Sequence, residues 1–257
     1  LLLKMKTLKT VLIILILILI APISSSAQKM YRVHEDVVKP SHVMEYETVV
    51  KELLSLVKKH NIQDTQWITA VTNNSRYMFV SAIENMAVLD EPNFVSELIK
   101  KEGQEKIMAL FNRMDKCYDT ELDYIIHLNE ELTYMPDGIS QTVEGENFRD
   151  FHFIYVAPGN RSVVKEKMQA IKALYESKGS KVHYRVYNSG FGTDGEYYMV
   201  AISAKDGEHM AQKGKENMEL LGEEGQNAMW GMYSNVLRYE KVEADMRPDL
   251  AYSPTEE

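Results

Sequence analysis

The chain has 257 residues, of which 45% are hydrophobic and 26% are charged, and it carries a net charge of −9. Residues 1–27 contain three lysines and no acidic residue, so residues 28–257 carry a net charge of −12. A chain this acidic is repelled by phosphate backbones and anionic lipid headgroups, which argues against nucleic acid as a partner.

The first 27 residues have the three parts of a secretory signal peptide. Three lysines precede the apolar run at 11–20, and the small-residue motif Ser25-x-Ala27 follows it. A membrane-spanning helix needs about 20 apolar residues, and Pro22 ends this run well before that length. We therefore predict cleavage after Ala27, a periplasmic or secreted protein, and no stable membrane insertion after cleavage.

Similar segments recur in the same order along the rest of the chain. Val38-Lys39-Pro40 and Val156-Ala157-Pro158 are 118 positions apart, and Glu102-Gly103-Gln104 and Glu224-Gly225-Gln226 are 122 positions apart. Matches that keep their order while their spacing changes slowly indicate a duplication.

The apolar spacing and turn residues predict the same order of elements in each copy: a strand, a helix, two strands joined by a hairpin, a helix and a strand. The first copy has strands near 31–38, 65–72, 76–83 and 121–133 and helices near 42–60 and 92–115. The second has strands near 150–156, 181–188, 196–203 and 233–243 and helices near 160–178 and 208–230. The predicted division is a signal peptide at 1–27, a first module at 28–135, a linker at 136–148 and a second module at 149–257.

The predicted fold is α+β, because the βαββαβ order is that of a ferredoxin-like module. Helices cover one face of such a sheet, and two modules in one chain cover the other faces by packing sheet to sheet as an intramolecular dimeric α/β barrel. With this element order and duplication, the sequence resembles the dimeric α/β-barrel superfamily, in particular tandem NIPSNAP-like and stress-responsive barrel relatives. That resemblance implies a family containing cofactor-independent monooxygenases, haem-binding enzymes and proteins without known activity.

A glycine-rich segment at 190–195 fits the dinucleotide-binding pattern G-x-G-x-x-G. That pattern binds pyrophosphate only between a strand and a helix. Here a second strand follows, and Asp194-Gly195 is a favoured hairpin pair. We therefore predict a hairpin rather than a nucleotide site.

The histidines give the candidate ligand-binding residues. His34 and His152 are 118 positions apart and occupy the same place in the two copies. The alternation of the second copy predicts a polar face with His152, His183, Arg185 and Tyr187, which would bind an anionic or oxygen-rich ligand between the sheets. The alternative is ordinary solvated polarity at strand ends.

The remaining residues with nucleophilic or metal-ligating side chains do not predict a catalytic or metal site. Cys117 lies between Asp115 and Asp119, which raise rather than lower a thiol pKa, so we expect a small buried apolar residue. His42 and Glu45 have helical spacing but no evident third ligand, so no metal site is predicted.

The function predicted from the sequence is binding of a small molecule in the inter-sheet cleft, without a catalytic residue or a cofactor that the sequence identifies. The first alternative, implied by the resemblance, is a cofactor-independent monooxygenase or a haem-dependent enzyme. The second alternative is a non-catalytic interaction scaffold. The sequence does not indicate an oligomeric state.

Overall fold

The computed structural model describes residues 29–255, which form eight β-strands and five α-helices. The strands are β1 (Met30–Val38), β2 (Ile68–Thr72), β3 (Arg76–Ile83), β4 (Tyr118–Leu128), β5 (Phe148–Tyr155), β6 (Tyr184–Ser189), β7 (Tyr197–Ala204) and β8 (Arg238–Met246). The helices are α1 (Val43–Lys59), α2 (Phe94–Glu102), α3 (Gln104–Met114), α4 (Arg161–Lys178) and α5 (Gly207–Tyr233). The helix predicted over 92–115 is two helices, because Gly103 has a φ of 89° that interrupts the first.

All eight strands belong to one closed antiparallel barrel, in the order β1-β3-β2-β8-β5-β7-β6-β4. Each half of the chain supplies four neighbouring strands, and the halves meet where β2 pairs with β8 and β4 pairs with β6. The predicted fold, two ferredoxin-like modules packed sheet to sheet, is therefore wrong. Two separate sheets would leave unpaired backbone groups along their edges, whereas pairing between the halves satisfies those groups.

The inside of the barrel is a packed apolar core to which all eight strands contribute. Its buried members are Tyr31, Val33, Ala70, Met78, Ile126, Leu128, Phe151, Tyr187, Tyr197, Met199, Ala201, Ala244 and Met246. Alternate side chains of a strand point to opposite faces, so the residues between these point outward.

Helices cover the outside of the barrel in two separate groups. Helices α1, α2 and α3 pack on the first half, where Tyr46, Leu98 and Ile107 are fully buried. Helices α4 and α5 pack on the second half, where Val164 and Leu221 lie against the outer residues of β5, β6 and β7. Each half thus has its own helix–sheet interface, distinct from the core inside the barrel.

The predicted linker at 136–148 lies over one end of the barrel. Gln141 donates a hydrogen bond from Nε2 to the Tyr31 hydroxyl at 3.0 Å. The Arg149 guanidinium donates to the carbonyl oxygens of Glu146 at 2.5 Å and Phe148 at 3.0 Å. These contacts attach the linker to side chains that point into the barrel.

Two smaller sequence predictions are confirmed. The segment at 190–195 joins β6 to β7 as a hairpin, with φ values of 83° at Gly192 and 87° at Gly195. Cys117 is fully buried, its Sγ lies 3.4 Å from the Arg113 carbonyl oxygen, and burial raises the pKa of its thiol.

The predicted signal peptide and its cleavage after Ala27 fall on residues 1–27, which lie outside the described residues. The boundaries at 28–135, 136–148 and 149–257 also stay predictions. Within the described part of the chain, no helix combines the length and the apolar character that crossing a membrane requires.

Candidate functional site

The outer face of β5 carries two polar residues beneath a helix. Asp150 and His152 are two positions apart, so both side chains point away from the barrel interior. On the neighbouring strand β8, Lys241 pairs with His152 and Tyr239 pairs with Ile154. The antiparallel register therefore brings imidazole, carboxylate, ammonium and phenol groups together on one surface.

A cleft of about 670 Å³ separates this surface from α5. Its floor includes Asp150, His152 and Lys241, and its α5 wall is largely apolar or glycine: Gly207, Met210, Ala211, Gly214, Met218, Leu221, Gly222, Gly225 and Met229. Gly222 has φ 58° and ψ −147°, which interrupts the helix within this wall. The volume is in the range of small-molecule sites, about 300–1,000 Å³.

A second cavity of about 150 Å³ adjoins the same histidine. It lies between α4, α5 and the sheet, and apolar side chains such as Ile154, Met168, Ile171 and Met232 line it. His152 lines both spaces. The imidazole therefore stands between a wide cleft and a narrow apolar cavity.

The environment of His152 leaves one ring nitrogen without a partner. Its Nδ1 is 2.6 Å from the Tyr239 hydroxyl, and the two rings stack with centroids 5.9 Å apart. Its Nε2 is buried and has no hydrogen-bond partner among the described residues, since the Asp150 carboxylate is 4.0 Å away. Burial lowers the pKa of His152, so the ring is neutral at pH 7. A buried polar atom without a partner costs about 1–3 kcal/mol, which a bound polar group would recover.

Asp150 provides a second polar group on the cleft floor. Its Oδ2 accepts from Lys241 Nζ at 3.0 Å, while its buried Oδ1 has no partner among the described residues. His152 and Asp150 both line the cleft, and each has one buried polar atom without a partner among the described residues, so a bound polar group would reach these atoms only after a small side-chain rotation.

The predicted ligand-binding residues lie in four separate places. His34 is on the outer face of β1 in the first half, and His152 is on the outer face of β5 in the second. Arg185 and Tyr187 point into the barrel, where Tyr187 belongs to the buried core. His183 precedes β6 and packs edge-on against Tyr134, with centroids 5.6 Å apart, and burial lowers its pKa.

Strand register explains why His152 and Arg185 are not neighbours. His152 pairs with Val200 of β7, and Val200 pairs with Val186 of β6, so these three side chains share the outer face. Arg185 pairs with Ala201 and shares the inner face instead. The alternation within each strand is as predicted, but the two polar faces lie on opposite sides of the barrel wall.

The polar groups of Arg185 and Tyr187 bind the linker. Arg185 Nη1 donates to the carbonyl oxygen of Ser140 at 2.6 Å and to that of Gln141 at 3.3 Å. The Tyr187 hydroxyl donates to the Gln141 side-chain oxygen. Their hydrogen bonds therefore hold the chain across the barrel end, and a ligand-binding role for these two residues stays a prediction.

Three site residues were missed in the sequence: Asp150, Tyr239 and Lys241. Tyr239 and Lys241 alternate along β8, but they become neighbours of β5 residues only through strand pairing. The more useful signal was the glycine content of α5, because glycine is unfavourable inside a helix by about 1 kcal/mol relative to alanine. Of these glycines, Gly214 leaves open space on the cleft wall, because a Cβ there would meet nothing within 4 Å.

No protein-family model and no curated protein matches this sequence. Solved structures do match. An anthrone oxidase-like protein has a TM-score of 0.58 at 9% identity, over 88% of this chain and 94% of its own. A proposed monooxygenase from Fusobacterium nucleatum subsp. nucleatum has a TM-score of 0.52 at 12% identity, over 86% and 93%. A proposed monooxygenase from Lactobacillus acidophilus has a TM-score of 0.51 at 7% identity, over 85% and 94%.

These likenesses establish the fold class. The chain has the α/β-barrel fold of the dimeric α/β-barrel proteins, and here a single chain closes the barrel. The narrower resemblance to tandem NIPSNAP-like proteins stays a prediction.

Proposed function

We propose that this protein binds a small organic molecule in the cleft between α5 and the outer face of β5 and β8. The observation that carries the proposal is that His152 lines a cleft of ligand size while its buried Nε2 has no hydrogen-bond partner in the part of the chain that the structure describes. The earlier hypothesis of small-molecule binding is kept, but at the helix–sheet interface of the second half.

The walls indicate the kind of ligand. Methionine and leucine side chains on α5 favour an apolar or aromatic body, because methionine adapts its shape to irregular surfaces. The floor favours a hydroxyl or carbonyl group that forms a hydrogen bond with His152 Nε2. A neutral imidazole either donates or accepts there, depending on which nitrogen carries the proton. A hydroxylated aromatic compound has both features.

A cofactor-independent monooxygenase acting on such a compound is the second candidate. It is supported by a neutral His152 that is able to accept a proton from a phenolic hydroxyl, since a general base must be unprotonated near the working pH. Asp150, with Oδ2 4.0 Å from Nε2, would stabilise the imidazolium that forms. The descriptions of the structural neighbours as anthrone oxidase-like and as proposed monooxygenases agree with this chemistry.

A haem enzyme is the cofactor-dependent alternative. His152 is the one imidazole on the cleft wall formed by the described residues, so it is the residue that would hold the haem iron there. Haem would supply redox chemistry when bound, and the apolar α5 wall would pack on its ring.

The first experiment compares four forms of the purified protein: the parent, His152→Leu, Gly214→Phe and His183→Leu. Gly214 lies on the cleft wall, and a Cβ there meets nothing within 4 Å, so phenylalanine would occupy the cleft without a backbone clash. His183 is the matched control, because it is a predicted site residue outside the cleft. Native mass spectrometry, the ultraviolet–visible spectrum and binding of a panel of hydroxylated aromatics are measured for each.

We expect bound mass or aromatic binding in the parent, loss of it in Gly214→Phe, and about tenfold weaker binding in His152→Leu, which is the effect of one hydrogen bond. The control His183→Leu should match the parent. Equal binding in all four forms would remove the proposed site, because the ligand would then bind elsewhere. No binding in the parent would remove the proposal and favour a scaffold. A visible band would identify haem, and oxygen uptake with the aromatic panel would identify a monooxygenase.

Export is proposed on the leader sequence alone. Amino-terminal sequencing of the protein recovered from its cells tests it, because cleavage after Ala27 predicts a mature chain that begins at Gln28.

A further inference from the structure

The outer face of the first half carries a separate cluster of polar residues, far along the sequence from the cleft. His34 and Asp36 alternate on β1, and the register places Asp123 opposite His34 and Glu121 opposite Asp36 on β4. One nitrogen or oxygen from each of His34, Asp36 and Glu121 lies within 4.8 Å of the others. We call His34, Asp36, Glu121 and Asp123 the β1–β4 cluster.

The Asp36 side chain is buried, and one of its carboxylate oxygens has no hydrogen-bond partner among the residues that the structure describes. Its side chain is 1% exposed, and the Tyr46 hydroxyl donates to Oδ2 at 2.5 Å. Its Oδ1 has no hydrogen-bond partner among the described residues and faces His34 Nε2 at 3.5 Å. Burial raises the pKa of Asp36 to about 6. A buried carboxylate with a free oxygen is costly unless it is paired or coordinates a metal, so the position favours a cation.

The imidazole of His34 is oriented by a second carboxylate. Asp123 Oδ2 lies 3.3 Å from Nδ1, and the same carboxylate accepts from Arg32 at 2.6 Å and 2.8 Å. A proton held on Nδ1 by Asp123 leaves the lone pair on Nε2, which faces Asp36. Metal-ligating histidines are commonly oriented in this way, by a carboxylate on the other ring nitrogen.

We propose that the β1–β4 cluster binds one divalent transition-metal ion, such as Zn²⁺ or Mn²⁺, through His34, Asp36 and Glu121. One imidazole with two carboxylates is a mixed nitrogen and oxygen set that suits these ions, whereas Ca²⁺ takes about six to eight oxygen ligands. Ligand atoms about 2.1 Å from a tetrahedral zinc lie roughly 3.4 Å apart, and the separation of 3.5 Å between His34 Nε2 and Asp36 Oδ1 matches that spacing. Glu121 Oε1 lies 3.7 Å from His34 Nδ1, so this side chain would rotate to reach an ion at Nε2. It is 48% exposed and free to do so, and water would complete the coordination on its side.

The second half carries a histidine at the matching strand position without these ligands. His152 lies opposite Lys241, and its neighbour on the same face, Ile154, lies opposite Tyr239. An ammonium, an alkyl and a phenol group thus stand where the first half has three carboxylates. This difference is why the metal site is proposed in one half and the organic ligand in the other.

The test is calorimetric titration of the purified protein, without a polyhistidine tag, with Zn²⁺, accompanied by the visible spectrum of the Co²⁺ form. The variants are Asp36→Asn and Glu121→Gln, with His127→Ala as the matched control. His127 lies on the same face of β4, but its strand neighbours are Met30 and Asn188. Circular dichroism checks that each variant folds. If Asp36→Asn does not fold, because Asp36 is buried, the comparison of Glu121→Gln with the parent tests the site.

We expect one Zn²⁺ per chain, at least tenfold weaker binding in Asp36→Asn and Glu121→Gln, and parent-like binding in His127→Ala. Loss of a ligand should also change the Co²⁺ absorption bands, which a variant with only an altered surface charge would leave in place. No binding by the parent, or equal affinity in Glu121→Gln, would overturn the site. The outcome is independent of ligand binding in the α5 cleft.

Discussion

The attachment of the linker to the barrel can be tested by replacing Arg149 with methionine. Arg149 is 2% exposed, and its guanidinium donates to the carbonyl oxygens of Glu146, Phe148 and Gln141 at 2.5, 3.0 and 3.4 Å. Methionine fills comparable space but donates no hydrogen bond. Three carbonyl oxygens therefore lose a donor, at about 1 kcal/mol each.

The net loss in the free energy of unfolding is smaller than this sum, because the substitution also removes a charge that is buried in the folded state. Burial and the neighbouring Arg185 lower the pKa of Arg149 to about 10, a sign that its charged form is held at a cost. We therefore expect a net loss of about 2 kcal/mol in the free energy of unfolding. Urea unfolding followed by circular dichroism measures it, and an unchanged m-value would show that the denatured state is the same.

A local measurement accompanies the global one. A glutamate-specific protease should cleave the linker after Glu144 or Glu146 faster in Arg149→Met than in the parent. The control is Arg161→Met, since Arg161 forms an exposed pair with Glu196 and should change neither quantity. If Arg149→Met and Arg161→Met behave alike in both assays, Arg149 does not hold the linker and the reasoning fails.

Three further predictions follow from local geometry. Gly192→Ala should lower stability by about 2 kcal/mol, because φ is 83° and the new Cβ would lie 2.6 Å from a carbonyl oxygen of β4; Gly145→Ala, at φ 75° with open space, should lose about half as much in the same urea titration. Burial lowers the pKa of His152 in the folded state, so the stability that its neutral form contributes is present above pH 6.5 and is lost as the pH falls. His152→Gln should therefore flatten the pH dependence of the free energy of unfolding measured between pH 8 and pH 5.5. Hydrogen bonds from Arg247 lower the pKa of Glu47 to about 2, so the pair stabilises fully above pH 4.5 and its contribution is lost as the pH falls through 2. Glu47→Gln should therefore cost about 1 kcal/mol at pH 7, after allowance for solvent screening, and clearly less at pH 3.

Local sequence patterns predicted the order of the elements, because the burial of a strand or helix sets its own apolar spacing. The strands predicted over 121–133 and 233–243 differ from β4 and β8 by up to about five residues at one end. The strand predicted over 76–83 is β3, and the helix predicted over 160–178 differs from α4 by one residue. The helix predicted over 92–115 failed only at Gly103, whose positive φ is invisible to an apolar periodicity.

The barrel closure was not predictable in the same way. The two joints between the halves are short, Ala70–Thr72 with β8 and Ile126–Leu128 with β6. Three residue pairs leave no periodic signal that differs from an ordinary strand end. The partner strands are also far apart in the chain, so nothing local distinguishes one continuous barrel from two facing sheets.

The candidate site was found only in part, and strand register is again the reason. Alternation along one strand shows which of its own residues share a face. It does not show whether His152 of β5 and Arg185 of β6 point to the same side of the barrel wall. Asp150 and Lys241 become neighbours of His152 only through the pairing of β5 with β8. Two of the three carboxylates around His34, those of Glu121 and Asp123, likewise come from β4, about 90 residues further along the chain.

Closing the barrel within one polypeptide permits specialisation that a symmetric dimer does not. In a dimer of identical subunits, a change on one helix–sheet interface is copied onto the other, so both surfaces must serve the same ligand. In this chain the two interfaces are encoded separately. Carboxylates accumulate around His34 while an open apolar groove faces His152, and substitutions that adjust one surface leave the other as it is.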